Sequence, residues 1–242
     1  MFVAPIPADR RPERFLRLIA GLVLYGISGS LLVLAGLGLD PWDVLHQGLS
    51  RTFGLQVGTW VIVVGFIVLL GWIPLRQRPG AGTALNVILI GLVMNVVLDV
   101  VPSPHYLPVR FGLVAIGVVL NGLATGLYIG AGLGPGPRDG LMTGLAADGR
   151  VAGSAGPRRF RSIRAVRTLI EVTVLLAGWL LGGTVGFGTV AYAATIGLLV
   201  HWTVPYFAMK PLPNPLEPDE VASESVRSSP GTTSGAASPR SA

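Results

Sequence analysis

Four long stretches of this chain carry no charged residue at all, namely 18–39, 52–75, 79–98 and 111–137, and a fifth runs from 172 to 209 with only Gly182-Gly183-Thr184 to break its apolar character. About 20 apolar residues cross a bilayer as a helix, and a helix satisfies its own backbone polar groups where there is no water to do so. The runs therefore predict membrane spans near 18–38, 57–75, 81–101, 110–131, 164–181 and 185–206. Charged residues make up 12% of the chain, about half the share usual in a soluble domain, roughly 25%. The expected class is all-α: a polytopic membrane protein with about six transmembrane helices.

The basic residues set an orientation. Arg10, Arg11, Arg14 and Arg17 precede the first run, and Arg76 and Arg78 follow the second. Arg138, Arg150, Arg158, Arg159, Arg161 and Arg164 lie around the fourth-to-fifth connection, and Lys210 follows the sixth run. Lys and Arg gather on cytoplasmic loops, so six crossings with both termini cytoplasmic place nearly all of them inside. Arg51 and Arg110 then fall outside and Arg167 within a span. The net charge of +6 is thus a topology signal, and no nucleic-acid partner is expected. The first run is too long for the core of a signal peptide and no small-x-small cleavage site follows it before Asp40, so it reads as a retained helix. The expected location is a bacterial cell membrane, with the lipid bilayer as first partner.

Two short segments at 40–53 and 136–148 do not fit as crossings, because a dozen residues is too short to span. They read as re-entrant or interfacial helices, and they are related. Over 35–50 against 131–146, an offset of 96, Ala35, Gly36, Leu37, Gly38, Pro41, Asp43, Leu45, Gly48 and Leu49 each meet the same residue. Arg14-Phe15 meets Arg110-Phe111 at that offset, Gly71-Trp72 meets Gly178-Trp179, and Gly82-Thr83 meets Gly188-Thr189 after the register slips. An internal repeat of about 95 residues with three crossings per unit puts its two halves in opposite orientations, the inverted arrangement recurrent in secondary transporters. The expected organisation is an N-terminal cytoplasmic arm at 1–13, repeat 1 at 14–107, repeat 2 at 108–209 with an insertion at 147–163, and a disordered cytoplasmic tail at 210–242, rich in Pro, Ser, Gly and Ala.

The stretches "GLGLDPWDVLHQGLS" at 36–50, "GLGPGPRDGLMTGL" at 132–145, "RTLIE" at 167–171 and "GGTVGFGT" at 182–189 resemble the YczE/YyaS/YitT family of bacterial integral membrane proteins, YczE-like members most of all. The resemblance covers about 14–207. It implies a multi-pass membrane protein and brings no assigned substrate.

Within the short segments Asp40 reads as a helix N-cap with Pro41 at the first helical position. Asp43 and Asp139 have two readings. They reach back to cap free N–H groups and complement the helix dipole, or they are binding or proton-carrying carboxylates. Arg138 serves orientation or binds an anion, and His46, three residues after Asp43, shares its face. Arg167 and Glu171, one helical turn apart in the fifth span, form an ion pair near its inner end or a gate. These six residues are the candidates for a solute or ion pathway. Gly122, Gly126 and Gly130, with Gly26 and Ser30 in the matching place, form a small-residue ridge for close helix packing, expected at the boundary between repeats. Asp99 near the outer end of the third span reads as solvated.

There is no cysteine, no zinc spacing among His46, His105 and His201, and no nucleophile or phosphate-loop motif, so no catalytic residue, metal or cofactor is expected and the chain does not read as an enzyme. The expected function is a small secondary-transporter-like or permease-like protein for an unknown small solute or ion. The alternative is an accessory or scaffold protein that binds another membrane component or a second copy of itself.

Overall fold

The computed structural model describes residues 9–147 and 163–209, and every regular element in them is a helix. In chain order these are α1 (Arg11–Ala35), α2 (Pro41–Phe53), α3 (Val57–Trp72), α4 (Ala81–Val100), α5 (Leu107–Gly130), α6 (Pro137–Ala147), α7 (Ile163–Leu180) and α8 (Phe187–Phe207). The basic insertion after α6 and the Pro/Ser-rich tail read from the sequence lie outside the described residues.

Of the six predicted spans, four are helices long and apolar enough to cross a membrane: α1, α4, α5 and α8. The bent pair α2 and α3, which turns through 112°, makes a fifth if it counts as one broken span. The physical reasons for the shortfall are local. The 16 residues of α3 cover about 24 Å at 1.5 Å per residue, less than the ~30 Å hydrocarbon core. In α7, Arg164, Arg167 and Glu171 break the apolar character over its first half. Large apolar side chains cover the outside of the bundle: Leu70, Leu180, Leu198 and Trp202 are all more than 60% exposed. A soluble monomer rarely tolerates such a surface, and lipid solvates it.

The bundle is centred on the crossing of α1 and α5. Ser28 Oγ donates to the Gly117 carbonyl at 2.9 Å, and a Cβ on Gly21 would meet the Tyr128 N at 2.7 Å, so residue numbers rise along one helix as they fall along the other. α4 lies parallel to α1, with Gly26 against Ile90 and Val93. α8 lies parallel to α5, with Gly122, Gly126 and Gly130 against Leu199, Thr203 and Phe207. The glycine ridge therefore seats α8 on α5, while Gly21, Ser28 and Gly117 lie where α1 meets α5. Small residues admit the neighbouring backbone where packing alone drives association. Ser30 turns inward on its own helix, its hydroxyl donating to the Gly26 carbonyl at 2.8 Å.

Both "GLG" stretches end a long helix and redirect the chain. Gly36 and Gly132 have φ of +58° and +68°, and Gly38 and Gly134 of +116° and +117°. Glycine reaches these angles without a Cβ penalty. The turns let backbone meet backbone: the Gly188 N–H donates to the Leu37 carbonyl and the Gly82 N–H to the Leu133 carbonyl, each at 2.8 Å. Two arginines complete the ends. Arg110 at the start of α5 donates to the carbonyls of Ala35 and Gly36, and Arg14 at the start of α1 donates to the carbonyl of Ala131 at 2.9 Å. Each supplies donors to orphan carbonyls at the C-terminus of the other helix. Arg14 also pairs with Asp9 at 2.7 Å, and that hydrogen bond and charge hold the Asp9 carboxyl below its ordinary value.

Candidate functional site

The two short helices start where the sequence places their caps. Asp40 Oδ1 accepts from the backbone N–H of Trp42 at 3.0 Å and of Asp43 at 3.2 Å, with Pro41 at the first helical position. Asp40 thereby takes on the capping of α2, and Asp43 turns elsewhere. Its Oδ1 lies 3.0 Å from His46 Nδ1 and 3.8 Å from an Arg138 nitrogen. A second Arg138 nitrogen stands 3.8 Å from Asp40 Oδ1. On α6 the matching carboxylate, Asp139, accepts at Oδ2 from the Tyr128 hydroxyl at 2.7 Å.

Arg138 therefore projects from the start of α6 to the start of α2. Its guanidinium carbon lies 4.9 Å from the centre of the Trp42 ring, within the range of a cation–π contact. Both Arg138–carboxylate separations exceed hydrogen-bond distance. Asp40, Asp43 and His46 are almost wholly buried, while the Arg138 side chain keeps 23% of its surface exposed.

That exposed surface faces a cavity of about 150 Å³. All eight described helices contribute to its wall: Tyr25 from α1, Trp42 and His46 from α2, Val64 from α3, Asn86 from α4, Tyr128 from α5, Arg138 and Asp139 from α6, Arg167 from α7 and Tyr192 from α8. Aliphatic side chains, among them Val68, Ile90 and Ile196, fill the rest. Mixed walls with a few convergent polar groups are typical of small-solute sites. The volume corresponds to on the order of five water molecules, room for a small solute.

Of the six pathway candidates, His46, Arg138, Asp139 and Arg167 line this cavity, and Asp43 stands behind it, 3.0 Å from His46 and 3.8 Å from an Arg138 nitrogen. Glu171 is attached to it through Arg167, whose Nε donates to Glu171 Oε1 at 2.8 Å. Asp99 lies apart, accepting from Gln56 near the far end of α4. The wall residues that the sequence did not single out are Tyr25, Trp42, Tyr128 and Tyr192. The three tyrosines are each a solitary aromatic in an apolar run, ordinary in any core, and Trp42 sits between Pro41 and Asp43 in the helix start. Two hydrogen bonds order part of this group, from the Tyr128 hydroxyl to Asp139 Oδ2 at 2.7 Å and from the Tyr192 hydroxyl to Asn121 Oδ1 at 3.1 Å. Two polar atoms here are buried without a hydrogen-bond partner: Asp40 Oδ2 and Trp42 Nε1.

Several helices long and apolar enough to cross a bilayer, with large apolar side chains on their outer faces, define a multi-pass membrane protein. The model of a family of unknown function (DUF6198) matches residues 12–205, and the chain belongs to that family. An uncharacterized protein of Haemophilus influenzae is 39% identical over 195 residues, which are 80% of this chain and 84% of that protein. The uncharacterized membrane protein YczE of Bacillus subtilis is 34% identical over 189 residues, 77% of this chain and 83% of its own length. The uncharacterized protein YyaS of the same organism is 29% identical over 192 residues, 76% and 89% of the two chains. The chain is thus YczE-like, as its repeated "GLG" stretches imply. No solved structure matches it.

Proposed function

We propose that this protein is a small secondary-transporter-like or permease-like membrane protein. In this reading two inverted repeats enclose a central solute site, six crossings leave both termini in the cytoplasm of a bacterial cell, and α2 and α6 are the short elements that head the site. The observation that carries the reading is the cavity itself, mixed in lining and framed by the starts of both short helices, with Arg138 of one over Trp42 of the other.

The matched contacts support the inverted arrangement. α1 and α5, which correspond in the offset, cross antiparallel. The Gly82–Leu133 bond has its counterpart in Gly188–Leu37, and the Arg14 contact with Ala131 has its counterpart in Arg110 with Ala35. A site at such an interface is exposed alternately when one half rocks against the other. No enzymatic step is part of this reading.

The chain has no native cysteine, so a single cysteine replacing Asn86 in the cavity wall tests it. Small, charged, membrane-impermeant thiol reagents are applied to sealed vesicles of each orientation. Alternating access predicts modification from both faces. Reaction from one face only, whatever solutes are added, contradicts it and leaves the accessory or scaffold reading.

A further inference from the structure

Asp40 is a buried carboxyl, 2% exposed, whose two oxygens have opposite surroundings. Oδ1 accepts from the backbone N–H groups of Trp42 and Asp43 at 3.0 and 3.2 Å. Oδ2 is buried with no hydrogen-bond partner. An ionised carboxylate taken out of water gathers donors on both oxygens, because unsatisfied charge is costlier to bury than an unsatisfied dipole. A neutral carboxyl needs donors only at its carbonyl oxygen, and Asp40 has that pattern. Asp43, three residues on, has the other: its Oδ1 faces His46 Nδ1 at 3.0 Å and an Arg138 nitrogen at 3.8 Å.

The charges of the cluster behind the cavity wall agree. Asp40 and Asp43 share one guanidinium, Arg138, and His46 pairs with Asp43. The groups that face this cluster from other helices are already engaged or uncharged. Asp139 of α6 accepts from Tyr128 of α5, and Arg167 of α7 donates to Glu171. Tyr25 of α1 and Tyr192 of α8 stand on the cavity wall as hydroxyls, and the residues that α3 and α4 give to that wall include no ionisable group. With His46 neutral and donating from Nδ1, Arg138 balances one of the two carboxylates. Like charges sharing a site do not readily ionise together, and one proton on Asp40 closes the balance.

We propose, on the transporter reading above, that Asp40 is a proton-binding site and that Arg138 couples its occupancy to the cavity, which makes the proton the coupling ion. Release breaks the Oδ2–H bond, leaves the electron pair on the carboxylate and hands the proton to water admitted from the cavity beside Arg138. The ionised Asp40 then draws in the guanidinium, whose nitrogen stands 3.8 Å from Oδ1, toward a charge-assisted hydrogen bond of about 2.7–2.9 Å. That movement takes Arg138 off the Trp42 ring, where its carbon lies 4.9 Å from the centre, and changes the contact between the starts of α2 and α6. Arg138 lines the cavity, so the proton on Asp40 sets which way its N–H donors face. A metal ion is the poorer fit: among the described residues no group of three or more His, Asp or Glu side chains is placed to hold one.

The experiment is an infrared pH titration of the full chain in lipid vesicles, following the C=O stretch of a protonated carboxyl above about pH 5, where exposed carboxyls stay ionised. A band that grows as the pH falls is expected in the native protein. It should vanish in Asp40→Asn, which keeps the helix cap, and persist in His46→Gln. Asp43→Asn leaves one carboxylate for one guanidinium, so the same band should need a pH lower by about one unit or more. Should Asp43→Asn not fold, Arg138→Gln carries the same information with the opposite shift. No band in the folded native protein, a band that survives Asp40→Asn, or a proton lost only in His46→Gln overturns the inference. Coupling is read with the single cysteine at position 86, as the ratio of its modification rates from the two faces, which cancels the pH dependence of the thiol itself. That ratio should change with pH in the otherwise native chain and stay fixed once Asp40→Asn is added. The Asp40 band without two-sided access leaves the proton site and removes the transport. Two-sided access with no band, or with a ratio indifferent to pH, leaves the transport and removes the proton as its coupling ion.

Discussion

Arg138 and Trp42 stand 96 residues apart, at the same place in the two related stretches, and they meet each other across the cavity at 4.9 Å. The second position of each short helix thus touches its own counterpart. In the proposed inverted arrangement these two matched positions would face each other across the pseudo-two-fold axis, one filled by a cation and the other by an aromatic ring.

That contact is measurable as a coupling. A cation–π pair shielded from water contributes about 1–2 kcal/mol. A double-mutant cycle of Trp42→Leu and Arg138→Gln, read from reversible unfolding in detergent, should give a coupling energy of about 1 kcal/mol. Strict additivity would mean that the two side chains are neighbours without an interaction.

The two matched aspartates are expected to behave differently. Were both simple helix caps, Asp43→Asn and Asp139→Asn would each cost a similar amount, about 1 kcal/mol. In the structure Asp43 is 3% exposed and holds His46 and Arg138, so breaking its charge should cost about 3 kcal/mol. Asp139 holds Tyr128 alone at 2.7 Å, and its loss should resemble that of Tyr128→Phe, about 1 kcal/mol. Equal costs for the two aspartates, measured by thermal unfolding, would return both to a capping role.

Two glycines give a steric contrast. A Cβ on Gly178 would run into the backbone of Val44 and Leu45, where α7 presses on α2, whereas a Cβ on Gly197 meets nothing within 4 Å. Gly178→Ala should destabilise by about 2 kcal/mol through overpacking. Gly197→Ala should be neutral or stabilising by a few tenths up to ~1 kcal/mol, since alanine is the better helix former. Similar melting temperatures for the two variants would mean that α2 and α7 do not meet as closely as the structure has them.

Much of this fold is legible because the bilayer makes sequence speak plainly. Charge-free runs mark α1, α4, α5 and α8, and Asp40-Pro41 marks the start of α2 with its cap in place. Repeated glycines mark the turns, since only backbone angles that favour glycine bring Gly38 onto Gly186 and Gly134 onto Gly80. What hydropathy does not register is partnership. The ridge of Gly122, Gly126 and Gly130 announces close packing, yet nothing in its spacing says that the neighbour is α8. Tyr25, Tyr128 and Tyr192 look like lipid-facing or core aromatics until the helices bring them to one wall. The tilt of α2 against α3 and the three charges of α7 fall between the span and the short helix, so length and composition count four spans, or five with the bent pair.

The most direct test of the inverted arrangement uses the absence of cysteine. Single cysteines replace Ser50, Ala146 and Ala208, in the last turn of α2, near the end of α6 and after α8, and membrane-impermeant reagents are added to intact cells. Labelling at 50, with 146 and 208 protected until the membrane is broken, is the expected result. Labelling of 50 and 146 from the same side would make the halves parallel, and the case for a central site between inverted repeats would fall with it.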